Sequence, residues 1–157
     1  MTYPTQNGLA LAEERMLIGG ELVKSRSGRS FENINPATEV VLGVTTDATR
    51  EEMEEAIASA RRAFDETDWS RNHAFRRRCL EQLHAALDAA REDVRNLTIA
   101  EVGAPWLLTL GIQCDVAIDQ ILYYAKLATD FQYEKTLPNT MSFGVPNRRK
   151  IVREATG

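Results

Sequence analysis

No long helix can be drawn through MLIGGELVKSRSGRSFENINPATEVVLGV, the stretch from Met16 to Val44. Gly19-Gly20, Gly28 and the Asn35-Pro36 pair interrupt each run before a helical period can repeat. The segments between these breaks are short and apolar or β-branched: Met16 to Ile18 with Leu22 and Val23, then Phe31 and Ile34, then Val40 to Val44. The pattern predicts three short strands joined by two turns, a small antiparallel sheet over residues 16–46.

Everything from residue 47 to 135 has the other period. Thr49 and Glu52 have capping-box spacing. Met53, Ala56, Ile57, Ala60 and Phe64 then make one apolar stripe, which predicts a helix over about 48–65. Ser70 is a candidate cap for a second helical run over 71–101, which is long enough to predict a break near Ala90 to Asp93. Gly103 ends that run and Pro105 starts the next at its first turn. From Trp106 to Asp130 one helix is expected with two apolar stripes. Leu107, Cys114, Ile118, Ile121 and Ala125 make the first, and Leu108, Ile112 and Val116 the second. A helix apolar on two sides wants cover on two sides, and the second stripe has no evident partner here. The tail, 136–157, alternates again and predicts a hairpin of about 140–145 and 149–154 around a Pro146-Asn147 turn. Residues 1–15 show no period and read as a loose lead-in. Taken by itself the chain reads as α+β: small sheet, helical layer, hairpin.

Nineteen basic against 23 acidic residues give a net charge of −4, so neither nucleic acid nor an anionic membrane is an expected partner. The first residues, MTYPTQNGLALAEER, lack the basic start and apolar core of a signal peptide, and no apolar run has bilayer length. Cys79 and Cys114 have no C-x-x-C spacing and read as reduced, buried thiols of a cytoplasmic protein. Cys114 is the one tempting nucleophile, yet it sits on the dominant apolar stripe beside Gln113 and Asp115, which favours a structural role. His73 and His84 are eleven residues apart, without further ligands at zinc-site spacing. The basic runs at 76–78 and 148–150 suit a solvated helix face and a hairpin tip. No glycine-rich phosphate loop occurs. From the residues alone, then, no catalytic or cofactor-binding set is expected.

The wording of the opening stretch nevertheless carries a likeness. IGGELV, a Ser/Gly-rich turn, Phe31, then Asn35-Pro36-Ala37-Thr38 and a Val-rich strand resemble the opening of the NAD(P)-dependent aldehyde dehydrogenase superfamily. The resemblance runs on to Gly157, and with it the chain reads as the front portion of a longer α/β enzyme, before most of its Rossmann-type domain and its catalytic domain. It implies oxidation of an aldehyde to a carboxylate with NAD or NADP, by a cysteine, a glutamate and an oxyanion asparagine that lie beyond these residues. It therefore implies that the chain alone is inactive and binds no cofactor. The implied partners are the remainder of the same enzyme or homologous subunits. The alternatives are a non-catalytic module docking on a full-length relative and a complementing subunit of a split enzyme. By position, the resemblance makes Ile112 and Val116 part of the aldehyde entrance, with an ordinary core role as the other reading. Asn33, Ile34 and Glu101 fall where the family often holds a monovalent cation, against the plainer reading of Glu101 as a helix-end carboxylate. The 140–154 hairpin resembles the family's oligomerisation arm.

Overall fold

The computed structural model describes residues 14–156. Apart from Glu14 and Arg15, the expected lead-in lies outside them. Four strands, where three were expected, occupy the opening stretch: β1 (Met16–Ile18), β2 (Glu21–Val23), β3 (Ser30–Ile34) and β4 (Val41–Thr46). They form two separate antiparallel pairs, β1 with β2 and β3 with β4. The extra strand comes from the Gly19-Gly20 turn. Its φ values of 63° and 88° are the left-handed pair that a two-residue hairpin needs, so the chain reverses where one strand was expected. The β3–β4 connection is built on Asn35, which is buried. Its Oδ1 accepts from the backbone N–H of Ala37 at 2.8 Å and of Thr38 at 3.2 Å, closing the turn that Pro36 begins.

Helix α1 (Arg50–Glu66) starts as the capping box predicts. The Glu52 N–H donates to Thr49 Oγ1 at 3.2 Å, and the Thr49 N–H donates back to Glu52 Oε2 at 2.7 Å. A single 3-10 turn at Asp68–Ser70 follows. The cap of α2 (His73–Ala89) is Asn72, not Ser70; Asn72 Oδ1 accepts from the Phe75 N–H at 2.9 Å. The expected break falls at Ala90, after which α3 runs from Arg91 to Val102. Gly103 ends α3 in the left-handed conformation (φ +64°), and a Cβ there would stand 3.2 Å from Pro36 Cγ. The residue that stops the helix thus also lets the β3–β4 turn seat against it.

The single helix expected over 106–130 is divided. A short α4 (Trp106–Thr109) and α5 (Asp115–Asp130) are separated by a turn over 110–114. Leu107 consequently leaves the dominant stripe and is exposed, whereas Cys114, Ile118 and Ala125 are buried with Ala100 and Ala104. Helix α5 packs chiefly on α2.

The hairpin is longer than expected and turns elsewhere. Strands β5 (Glu134–Ser142) and β6 (Val145–Val152) meet at Phe143-Gly144, with φ values of 50° and 78°. Gly144 tolerates that conformation and Pro146 does not, so Pro146 moves into β6 opposite Met141. Every residue of β6 is exposed.

Candidate functional site

A buried polar assembly surrounds the turn between α4 and α5, apart from the buried Glu52 at the start of α1 and Asn35 in the β3–β4 turn. Arg95, in the second turn of α3, is 2% exposed. Its Nη1 donates to Thr109 Oγ1 at 3.2 Å and its Nη2 to Asp115 Oδ1 at 2.8 Å. Thr109 is itself fully buried and donates to the Trp106 carbonyl at 2.7 Å. Arg91, one helical turn before Arg95, places Nη1 3.2 Å from the same Asp115 oxygen and donates through Nη2 to Asp119 Oδ1 at 2.6 Å and Asp88 Oδ1 at 2.7 Å. Burial works against ionising Asp115, yet the Arg95 and Arg91 guanidiniums hold its carboxyl below the usual range. Burial likewise opposes the charge on Arg95, and Asp115 with Glu92 outweighs it. The arrangement orders a turn; it holds no nucleophile.

Ile112 and Val116 flank that turn. Ile112 is 76% exposed and lies in the turn itself rather than on a helix; Val116 is 38% exposed, in the first turn of α5. With Leu108, also exposed, they are the stripe for which the sequence offers no partner. Between them Cys114 is buried at the start of α5, and burial pushes its thiol pKa up, against a nucleophilic role. Cys79 is half-buried on α2, and both thiols are free.

The other expected positions fall on separate parts of the molecule. Asn33 Nδ2 donates to Glu101 Oε1 at 2.7 Å, tying β3 to the last turn of α3. Ile34 follows at a register shift in the β3–β4 pair. A carboxylate at a helix C-terminus is electrostatically unfavourable, and here an amide N–H offsets it. Among the described residues no group of three or more His, Cys, Asp or Glu could hold a metal. His73 stacks on Tyr133 with ring centres 3.7 Å apart, and burial, then the Arg76 charge, lowers its pKa. Among the described residues one strand runs on into a helix, β4 into α1. That junction does not fit a dinucleotide pyrophosphate, because it carries no glycine and the Glu52 carboxylate already occupies the helix start.

Sequence reasoning missed Arg91, Arg95, Thr109 and Asp115. The available signal was two arginines at helical spacing, with a lone acid and a threonine set into the apolar run from Pro105 to Ile118. What pairs them is a contact between different helices, which periodicity within one helix cannot reveal.

The sequence profile of the aldehyde dehydrogenase family matches residues 22–156. A 3-succinoylsemialdehyde-pyridine dehydrogenase from a Pseudomonas species is 32% identical over 142 residues, which cover 89% of this chain and 28% of that protein. Aldehyde dehydrogenase 1 of Tanacetum cinerariifolium is 28% identical over 75% of this chain and 26% of its own length. The solved NAD+ complex of an aldehyde dehydrogenase from Bacillus cereus superimposes with a TM-score of 0.77 at 29% identity, over 94% of this chain and 30% of that one. The chain therefore spans less than a third of the length of each of these relatives. Among the described residues no helix is long and apolar enough to cross a membrane.

Proposed function

Because the chain belongs to the aldehyde dehydrogenase family, we propose that it works as the N-terminal portion of an enzyme that oxidises an aldehyde to a carboxylate with NAD or NADP. The observation that carries this reading is the family match over 22–156 together with the exposed Leu108, Ile112 and Val116. An apolar stripe held rigidly by a buried ion cluster, and left bare, suits one wall of a channel for an apolar or weakly polar aldehyde. In this reading Ile112 and Val116 line the substrate entrance, and the β-sheets and helices are scaffold. The unpaired edges of β5–β6 add to a neighbouring subunit's sheet. A monovalent cation sits beside Asn33, Ile34 and Glu101, offsetting the carboxylate that ends α3. The cysteine, glutamate and asparagine that do the chemistry come from other parts of the enzyme. The chain alone is inactive and binds no nicotinamide cofactor. Free thiols at Cys79 and Cys114 fit a reducing cytoplasm.

The bare faces also support a second reading, a module that docks on a full-length relative. Met53 and Ile57 on α1 are exposed, as are Met141, Val145 and Val152 on the hairpin.

Replacing the matching segment of the Bacillus cereus aldehyde dehydrogenase with residues 22–156 tests the first reading. Aldehyde oxidation with NAD is expected from the chimera and not from the chain alone. Turnover by the chain alone that survives repurification and disappears in Cys114→Ala would overturn it. A chimera that folds but is inactive would favour the docking module.

A further inference from the structure

We propose that Arg95 is a positioning residue for aldehyde selection: it staples the two ends of the α4–α5 turn and so sets where Ile112 and Val116 stand. The inference rests on the entrance reading above and adds a residue that lies behind the wall, out of reach of any substrate.

One guanidinium meets both ends of the segment. Arg95 Nη1 reaches Thr109 at the end of α4, and Nη2 reaches Asp115 at the start of α5. Between those contacts the backbone makes only local bonds, such as the Gly111 N–H to the Leu108 carbonyl at 3.1 Å and the Val116 N–H to the Gly111 carbonyl at 2.9 Å. The Leu108 carbonyl also accepts from the Gln113 N–H at 3.3 Å and the Gly111 carbonyl from the Cys114 N–H at 3.4 Å, long bonds that the Arg95 fork reinforces by meeting both ends of the turn from α3. Helix α5 has no side-chain cap at its start, so Asp115 is anchored by the arginines of α3 instead. The planar fork of arginine can hold two partners at a set separation, which a lysine ammonium cannot. An exposure of 2% at Arg95 keeps water from competing for either contact. A shift of the offset would carry Ile112, at the middle of the turn, further than any other side chain of the wall.

The test has two arms. In the chain itself, on a Cys79→Ser background, the labelling rate of Cys114 by a maleimide reports opening of the turn, since the thiol is 2% exposed when the turn is closed. Arg95→Met, which keeps most of the packing and removes the donors, is expected to speed labelling about tenfold, and Thr109→Val by less. In the Bacillus cereus chimera, both variants are expected to raise KM for a bulky aldehyde about fivefold while kcat is retained, because they act on binding and not on bond making. Unchanged labelling in both variants overturns the staple. Faster labelling with an unmoved KM overturns the positioning role, provided Ile112→Ala with Val116→Ala does move KM, and leaves the entrance reading standing. If that double variant also leaves KM unmoved, the entrance reading falls and this inference with it. Should Arg95→Met fail to fold, Thr109→Val carries both arms. A chimera that folds without turnover removes the entrance reading, and this inference with it, whatever the labelling shows.

Discussion

Two helix starts in this chain solve the same problem by different means. At α1, Thr49 and Glu52 satisfy each other across three residues, and Glu52 also accepts from the Arg26 N–H at 2.7 Å and Ser25 Oγ at 3.0 Å. At α5 the cap position is Cys114, which offers no side-chain bond, and Asp115 is secured by arginines twenty or more residues earlier. The first start is a local device with a loop fastened onto it. The second is a tertiary device and cannot form until α3 has docked. The α1 start should therefore persist in partly folded states in which the α5 start is lost.

The largest expected effect comes from breaking the tertiary device. Arg95→Ala removes contacts to both Thr109 and Asp115 and leaves a polar void, and should lower stability by about 3 kcal/mol. Urea denaturation followed by tryptophan fluorescence checks this. A loss no greater than that of an exposed arginine such as Arg29 would mean Arg91 alone secures the turn.

The local device should show itself in pH dependence. Backbone donation from Thr49 and then Arg26 brings the Glu52 pKa down to about 2. A carboxyl depressed on folding contributes stability that is full above its unfolded pKa, near 4.5, and is lost as pH falls through its folded value. Between about 4.5 and 2 the Lys24–Arg29 loop should therefore loosen from α1. The Arg26 amide should lose protection, relative to an unfolded peptide at the same pH, as pH falls through that window, and Glu52→Gln should show the low protection at every pH. Protection at Arg26 that ignores pH would remove Glu52 from the role.

This contrast also explains what could be read from the residues. The capping box, the helix breaks at Ala90 and Gly103, and the Asn35-Pro36 turn are all set by neighbours a few positions away, and periodicity and turn chemistry reveal such features. The Gly19-Gly20 turn is local too and legible as a break, though not as the reversal that makes two strands; the Phe143-Gly144 turn is hidden because Pro146-Asn147 is louder punctuation. The interruption after Thr109 and the Arg95 cluster were illegible for another reason. An arginine that belongs in the core is indistinguishable in a sequence from one that belongs in water. Ile112 and Val116 stood out only as a stripe without a partner, and exposure leaves them so.

Gly103 joins the two kinds of region, because it ends α3 and receives the β3–β4 turn. Gly103→Ala should cost about 1–2 kcal/mol for the left-handed backbone alone, with a further penalty from Pro36 Cγ at 3.2 Å. Gly103→Ala with Pro36→Ala should recover the steric part and not the backbone part. Complete recovery would mean that φ at this position relaxes freely.

Thr49→Ala should have the smallest effect, near 1 kcal/mol, and it sharpens the comparison most. The substitution deletes the hydroxyl that accepts from the Glu52 N–H and spares the Thr49 N–H, which still donates to Glu52 Oε2. Half of the box therefore survives. Glu52→Gln removes the charge and leaves one amide oxygen for two backbone donors, so one of the bonds from Thr49 and Arg26 is lost with it. If the two halves reinforce each other, the double variant should lose less than the two single losses added together, since each single change already weakens its partner's bond. Circular dichroism melts of the four forms measure this coupling. Strict additivity would mean the two bonds act independently, and α1 would then owe its start to the Ser25 and Arg26 loop, a tertiary contact like the one that anchors α5.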